Sequence, residues 1–380
     1  MTVPYVPGLE GVPVAKSAIS FVDGEKGLLE YRGFDIADLA GHCTFEEVAF
    51  LLLSGRMPDA AELQEFSGQL RPARVLPEPI VRFIRDLPAE GHPMAALQAS
   101  VAAAGMCEPP RGVDSDGHHW AVAVRMIAQV PTMVAAFARQ RRRLPPVAPD
   151  PDLPHAANFL YLLTGQRPAA ELARVLDTCL VLHADHTMNA STFAGRVVGS
   201  TLATPHATIS AAIGALSGPL HGGANEHVLQ MLRDIPSVDD VEAAITAKVQ
   251  AKQKIMGFGH RVYKTFDPRA AVLRRLAERL LKSVDSDTLR IALRTEEVVT
   301  RLLGPKGIHA NVDFYSGLVY DHLGIESDLF TAVFAVARVS GWTAHWLEQL
   351  QDNRIFRPRQ IYTGAHGVTV QRRQAVRLEH

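Results

Sequence analysis

Apolar positions in this chain recur every three or four residues over most of its length, and the stretches between them are short and rich in proline and glycine. That pattern predicts a protein built almost entirely of packed helices. Residues 1–35 are the exception. Turn formers and short alternating pieces, such as Ile19-Ser20-Phe21-Val22 before Asp23-Gly24, predict an arm with one small hairpin. Thr44 with Glu47 makes a capping box for a helix over 45–54, which Gly55 is placed to end, and Asp59 with Glu62 repeats the device. Ala/Leu-rich segments near 79–87, 93–106, 118–140 and 155–164 continue the pattern. The basic run Arg139 and Arg141-Arg142-Arg143 precedes a Pro-rich loop over 144–154. It reads as a solvated helix C-terminus, where cations are favoured.

A helix predicted over 168–186 carries more information. Leu172, Leu176, Cys179, His183 and His186 follow a 4, 3, 4, 3 spacing, so both histidines extend its apolar stripe. They are either satisfied core histidines or polar groups lining a cavity. His183, Asp185 and His186, with His118 and His119, also allow a metal-dependent hydrolase, although no further ligands stand at tight spacing. Asn189 opens the next predicted helix, and an Ala-rich one near 204–217 leads into Pro219-Leu220-His221-Gly222-Gly223. A histidine before paired glycines at a helix entry stands where a ligand can approach closely and where helix-start amides disfavour the imidazolium. Such a neutral ring can donate one N–H to a carbonyl oxygen.

Charge rises after position 221. Helices predicted over 224–233, 238–251, 268–283 and 288–303 are amphipathic, as in a smaller and better-solvated unit. Within it, Gly257-Phe258-Gly259-His260 reads as a flexible loop, and Asp267-Pro268 as a helix start. Arg269 then falls in a first turn, where a cation opposes the helix dipole, which makes it a functional candidate against the plain reading of a solvent-facing arginine. Asp313 also lies at a helix start. The dipole there lowers its pKa and the aromatic flanks raise it, a contest that composition leaves open. The last predicted helix, over 328–351, has Arg338 as its one formal charge between Leu329 and Leu347, so an anion is required to compensate it. Ser340, Gly341 and His345 beside that arginine argue for a protein core over a membrane span.

At 380 residues with 47% hydrophobic content the chain can form two domains and is not disordered, and a formal net charge of -1 argues against nucleic acid or an anionic membrane as partner. Three scattered cysteines suggest a reducing compartment, and the N-terminal residues lack the basic segment and apolar run of a signal peptide, so a cytoplasmic location is expected. Leu378-Glu379-His380 reads as a tag remnant.

Six ordered stretches, Leu182–Thr192, Pro219–Glu226, Ile255–Arg269, Asn311–Gly317, Phe334–Gln349 and Arg357–Gly364, together resemble the citrate synthase family, and Gly8–Gly55 resembles its N-terminal part. The likeness is greatest to the short bacterial form shared by citrate and 2-methylcitrate synthases. It implies an all-α fold with a large domain of residues 1–221 and 321–380, a small domain of 222–320, and a homodimer. By the same likeness, His221 would hold the thioester carbonyl of acetyl-CoA, Asp313 would take the methyl proton, and His260 would act on the keto oxygen of oxaloacetate. His186, Arg269 and Arg338 would bind oxaloacetate, joined by Arg357 of the neighbouring subunit. Gly257, Phe258, Gly259 and Lys264 would hold CoA, with no metal and no cofactor beyond that co-substrate. The alternatives are the same chemistry on propionyl-CoA, the metal-dependent hydrolase, and a non-catalytic helical assembly protein that would have no use for a buried arginine. Thr187 departs from the acidic residue or glycine of many relatives, with little consequence expected. A start close to the family's core argues against the NADH-regulated hexameric form.

Overall fold

A computed structural model describes residues 5–108, 116–222, 225–281 and 286–369. The tag-like tail and Gly223 lie outside them. The predicted hairpin is present and is extended by a third strand: β1 (Ser20–Asp23) pairs antiparallel with β2 (Leu28–Tyr31), and β2 with β3 (Phe34–Asp35). Leu29 and Tyr31 alternate inward along β2 and carry the sheet onto the helical core.

Among the described residues, every other regular element is helical. Both capping boxes form as predicted, with Thr44 and Asp59 each accepting from the third amide onward, and Gly55 closes the helix Phe45–Ser54 in a left-handed conformation. Two long helices build the centre. Asp116–Arg141 is long and apolar enough to span a bilayer, yet 83% of its apolar window is buried within the protein. The last helix, Phe330–Gln351, is buried on nearly every side and packs on Phe45–Ser54, Asp116–Arg141, Ala170–His183, Ala190–Gly199 and Pro205–Leu216. A helix without a polar face has to be surrounded by other helices, which is why it ends up at the middle.

Three expectations are corrected. The helix predicted over 168–186 is Ala170–His183, so His186 lies beyond it, in a strap crossing the last helix. The apolar spacing ran on because the strap is buried as well. The basic run is not a solvated end: Arg139 is buried and donates to Pro145 O and Leu163 O, while Arg141 and Arg142 pair with Asp328 and Glu326. The last helix starts at Phe330, after a short 3-10 turn over Ser327–Leu329.

Candidate active site

The strap after His183 passes over the last helix at Gly341. A Cβ there would come 2.4 Å from Ala184 O and 2.5 Å from Asp185 Oδ1, so only glycine permits the crossing. One turn earlier, Arg338 donates from Nε to His183 O (2.7 Å), and its guanidinium stands 4.6 Å from the centre of the Phe334 ring. Its Nη2 is buried without a hydrogen-bond partner, and among the described residues no carboxylate lies within salt-bridge distance of it. Burial pulls this guanidinium down to about 10, against the pull of Asp185. The anion that the sequence demanded is thus not supplied by a neighbouring acid.

His183 is a core histidine: Nδ1 donates to Cys179 O (2.8 Å), and burial lowers its pKa to about 3. His186 instead turns toward the chain's second half, with Nε2 3.1 Å from the Tyr263 hydroxyl and its ring 5.2 Å from that of His260. Burial, then Arg269, His260 and Arg338, keep it well below the ordinary histidine range. His183, Asp185 and His186 of the metal reading therefore go to separate partners, since Asp185 faces Ser20, Thr187 and His345. Among the described residues, no three His, Cys, Asp or Glu side chains gather as a metal would need. Thr187 takes φ 49°, a left-handed conformation that costs a β-branched residue roughly 1–3 kcal/mol.

The Gly257–Gly259 loop is clamped rather than flexible. Asn311 N donates to Gly257 O (2.9 Å), Gly259 N to His309 O (2.9 Å) and Asn311 Nδ2 to Gly259 O (3.0 Å). Both glycines have positive φ, and a Cβ on Gly257 would strike Phe314 at 2.9 Å. The loop delivers His260, whose Nδ1 accepts from Val262 N and Tyr263 N, which leaves Nε2 to carry the proton of the neutral ring. Burial and then Arg269 lower His260 to about 4. Asp267 caps the next helix, Pro268–Leu281, as predicted, and does more. Its carboxylate accepts from Arg269 N, pairs with Arg269 Nε (3.0 Å) and Nη2 (2.8 Å), and takes Val312 N (3.1 Å). Arg269 is buried, so the solvent-facing reading fails.

Val312 opens the helix Val312–His322, capped by Asn311, and Asp313 stands in its first turn. Desolvation wins the contest that the sequence left open. Asp313 Oδ1 is buried without a partner, and burial raises the carboxyl to about 6 even though Arg269 and Arg338 draw it down. His221 comes from a turn, His221 N donating to Gly218 O, before the helix Asn225–Arg233. Burial and then Arg338 hold it at about 4, so its neutrality owes more to desolvation than to helix-start amides. Ser191 N donates to Nε2 (3.3 Å), and the Ser191 hydroxyl, itself taking Trp342 Nε1, lies 2.9 Å from the same atom. With Nε2 accepting, Nδ1 holds the proton and is free to donate.

One buried neighbourhood thus unites His186, His260, Arg269, Asp313, His221 and Arg338, from segments far apart in the chain. The family described as "Citrate synthase, C-terminal domain" matches residues 8–359. The chain belongs to the citrate synthase family. It is 51% identical to the citrate synthase of Acidithiobacillus ferridurans over 369 residues, covering 95% of each chain. To that of Synechocystis it is 51% identical over 366 residues, covering 96% of this chain and 92% of the other. Among solved structures, citrate synthase from Thermoplasma acidophilum, in a ternary complex with carboxymethyl coenzyme A and oxaloacetate, aligns with TM-score 0.93 at 33% identity over 97% of this chain and 99% of that one. The Pyrobaculum aerophilum citrate synthase gives TM-score 0.92 at 38% identity, covering 98% and 96%. The helical architecture expected of the family is the one observed.

Set against the likeness to citrate synthases, most of the expected site residues converge. Gly257, Phe258 and Gly259 lie beside Asp313's helix, the Phe258 ring in tilted contact 4.5 Å from that of Phe314. Lys264 is exposed, its amide on Gly24 O. Arg357 is exposed on the tail, with Nη1 on Pro358 O, and no contact joins it to the cluster among the described residues. Sequence reading missed Tyr263, Ser191, Trp342 and the role of Asp267 as partner of Arg269. Tyr263 sat inside a quoted motif, but nothing in its spacing pointed to His186, 77 positions away.

Proposed function

We propose that this chain condenses oxaloacetate with acetyl-CoA and water, giving citrate and CoA, as an acyltransferase whose acyl group becomes an alkyl group on transfer. The observation that carries the reading is one neighbourhood holding a desolvated carboxylate, two neutral histidines each with a free N–H, and a buried arginine with an unpartnered nitrogen. A thioester methyl is a very weak carbon acid, so its proton leaves only if the enolate oxygen is stabilised at the same moment. Asp313 takes that proton and His221 Nδ1–H donates to the thioester oxygen. The enol carbon then bonds to the keto carbon, and His260 Nε2–H supplies the proton to the keto oxygen. Water hydrolyses the resulting citryl thioester, releasing CoA. His186, Arg269 and Arg338 suit a dicarboxylate acceptor, because guanidinium binds carboxylate in two places. Gly257, Phe258, Gly259 and Lys264 hold CoA, and no cofactor is needed beyond that co-substrate.

The large domain is residues 1–221 and 321–380 and the small one 222–320, and oxaloacetate draws them together across the cleft that His186 and Tyr263 share. The working form is a cytoplasmic homodimer, with Arg357 entering the neighbour's site. The citrate synthase names of its relatives favour acetyl-CoA over propionyl-CoA. The test is oxaloacetate-dependent thiol release. Acetyl-CoA is expected to lead propionyl-CoA in kcat/KM by about 10–200-fold, the span one methylene allows. No release from either thioester, or faster release from propionyl-CoA, overturns the reading.

Arg338→Leu is expected to lower stability only modestly, by about 1–3 kcal/mol for the His183 carbonyl left without its donor, and to weaken oxaloacetate binding by at least about 30-fold, the loss of a buried charged contact. Among the described residues no carboxylate pairs with Arg338, so leucine strands no acid. A structural ion pair would instead cost roughly 3–5 kcal/mol on removal and show as a large drop in melting temperature without ligand.

A further inference from the structure

The proposed reaction leaves a second chain of buried polar groups without a task. It starts at the N-terminal arm, where Ala18 N donates to Glu348 Oε1 (2.9 Å). Glu348 Oε2 accepts from Arg196 Nη1 (2.8 Å), and Arg196 Nε donates to Gln349 Oε1 (2.9 Å). The same Nη1 donates to His345 Nδ1 (3.0 Å). An arginine can only donate, so Nδ1 accepts and the proton of the neutral His345 ring sits on Nε2. That nitrogen lies 3.4 Å from Asp185 Oδ1, a close polar contact, and neither atom has a hydrogen-bond partner among the described residues. Asp185 Oδ2 takes the Ser20 hydroxyl and Thr187 N, and Tyr31 Oη takes Asp185 N (3.1 Å) and donates to Asp185 O (2.8 Å).

The arrangement brackets one residue. Asp185 precedes His186, and its carboxylate holds the amide of Thr187, which follows His186 in a left-handed conformation. Ser20 Oγ holds the same amide at 2.9 Å. The strap is pinned to the last helix at Arg338, Gly341 and His345, spaced three and four residues apart along one face. A polar network kept only for stability has no reason to hold the chain immediately before and immediately after a single residue. We propose that Asp185, locked by His345 and Ser20, is the positioning residue that fixes the His186 ring for oxaloacetate. This rests on His186 binding oxaloacetate, as proposed above.

The full-length enzyme with His345→Leu, His345→Gln, Ser20→Ala and His186→Ala, and the double variant of His345→Leu with His186→Ala, tests it. His345→Leu is expected to raise the KM for oxaloacetate about tenfold, the lower range for losing a partner that orients a ligand-binding ring, with kcat within about threefold. Glutamine can place an N–H near the lost Nε2, so His345→Gln should restore most of the loss, and Ser20→Ala should move KM in the same direction as leucine. In the His186→Ala background, His345→Leu should add nothing further. The imidazole 15N signals of His186 should shift in His345→Leu and return in His345→Gln. An unchanged KM in both His345→Leu and Ser20→Ala overturns the proposal, as does a full tenfold effect persisting without the His186 ring. If His186→Ala itself leaves KM unchanged, the substrate role of His186 fails. Unmoved 15N signals would show separately that the positioning is wrong.

Discussion

Asp313→Asn should leave the fold intact and cut turnover by about 10²–10⁴-fold, the range for a positioned general base, or more because the methyl proton is so weakly acidic. The amide has the shape of the carboxyl and keeps the Asn311 cap and the first turn undisturbed, but it cannot accept the proton. Deuterium exchange from the acetyl-CoA methyl should fall with turnover; exchange at the wild-type rate would assign the base elsewhere. The raised pKa adds a second signature. Burial lifts the carboxyl from its usual value to about 6, so below that pH the residue is protonated and kcat/KM should fall on the acid side. The stability effect has the opposite sense. A folded-state pKa above the unfolded one favours folding while the group is protonated, and the gain is lost as pH rises through about 6. Asparagine never ionises. The variant should therefore be more stable than the parent at pH 8, by roughly 1–2 kcal/mol after allowing for cleft solvent, and equal to it near pH 4. Melting curves at the two pH values check this directly.

What the sequence made legible was whatever depends on neighbours along the chain. The capping boxes at Thr44 and Asp59, the Asn189 cap, the first-turn place of Asp313 and the surrounded helix around Arg338 all follow from local hydrogen bonding or from the 3.6-residue period, and all are present. The misread features depend on distant contacts. The Gly257–Gly259 loop looks flexible by composition, but its carbonyls and amides are held by 309–311 across some fifty residues. The helix ending at His183 looks longer because apolar spacing cannot distinguish a buried strap from a buried helix turn. Arg269 could be flagged for opposing its helix dipole. Its partner Asp267, read as a cap alone, became part of the site only once Val312 N was seen to reach it from the Asp313 helix.

Asp267 also explains why the site holds together as a unit. Its carboxylate ties the arginine, the helix that Arg269 begins and the helix that carries Asp313, all in buried surroundings. Removing one member of such a pair typically costs roughly 3–5 kcal/mol, because the other charge is left stranded. On the proposed reading, a dianion arriving beside Arg269 and Arg338 would meet cations already fixed in direction, with little ordering left to do on binding.

Mixing Asp313→Asn with Arg357→Ala should restore roughly a quarter of wild-type activity from two nearly inactive variants, provided each site draws on both chains. The observation behind this is where the tail goes. After the last helix, Asn353 Nδ2 donates to Ser200 O and Phe356 N to Ser200 Oγ, which ties the chain to its own body as far as Phe356. Arg357 follows at once, exposed, stiffened by Pro358 and apart from the cluster of its own chain. Ile355, Ile361 and Tyr362 on the same tail are exposed, as are Tyr5, Leu9 and Val12 on the N-terminal arm, and apolar side chains on extended ends call for a covering surface. In the homodimer proposed above a second copy of the chain would supply one, and a two-fold axis would give both copies the same exchange. In a mixed dimer one site then receives both lesions and the other receives neither. Random assembly makes half the dimers mixed, and each has one intact site of two, hence the quarter. Co-expressing the variants, or unfolding and refolding them together, and assaying thiol release measures it. If Arg357 served its own chain, every site would carry one lesion and mixing would restore nothing.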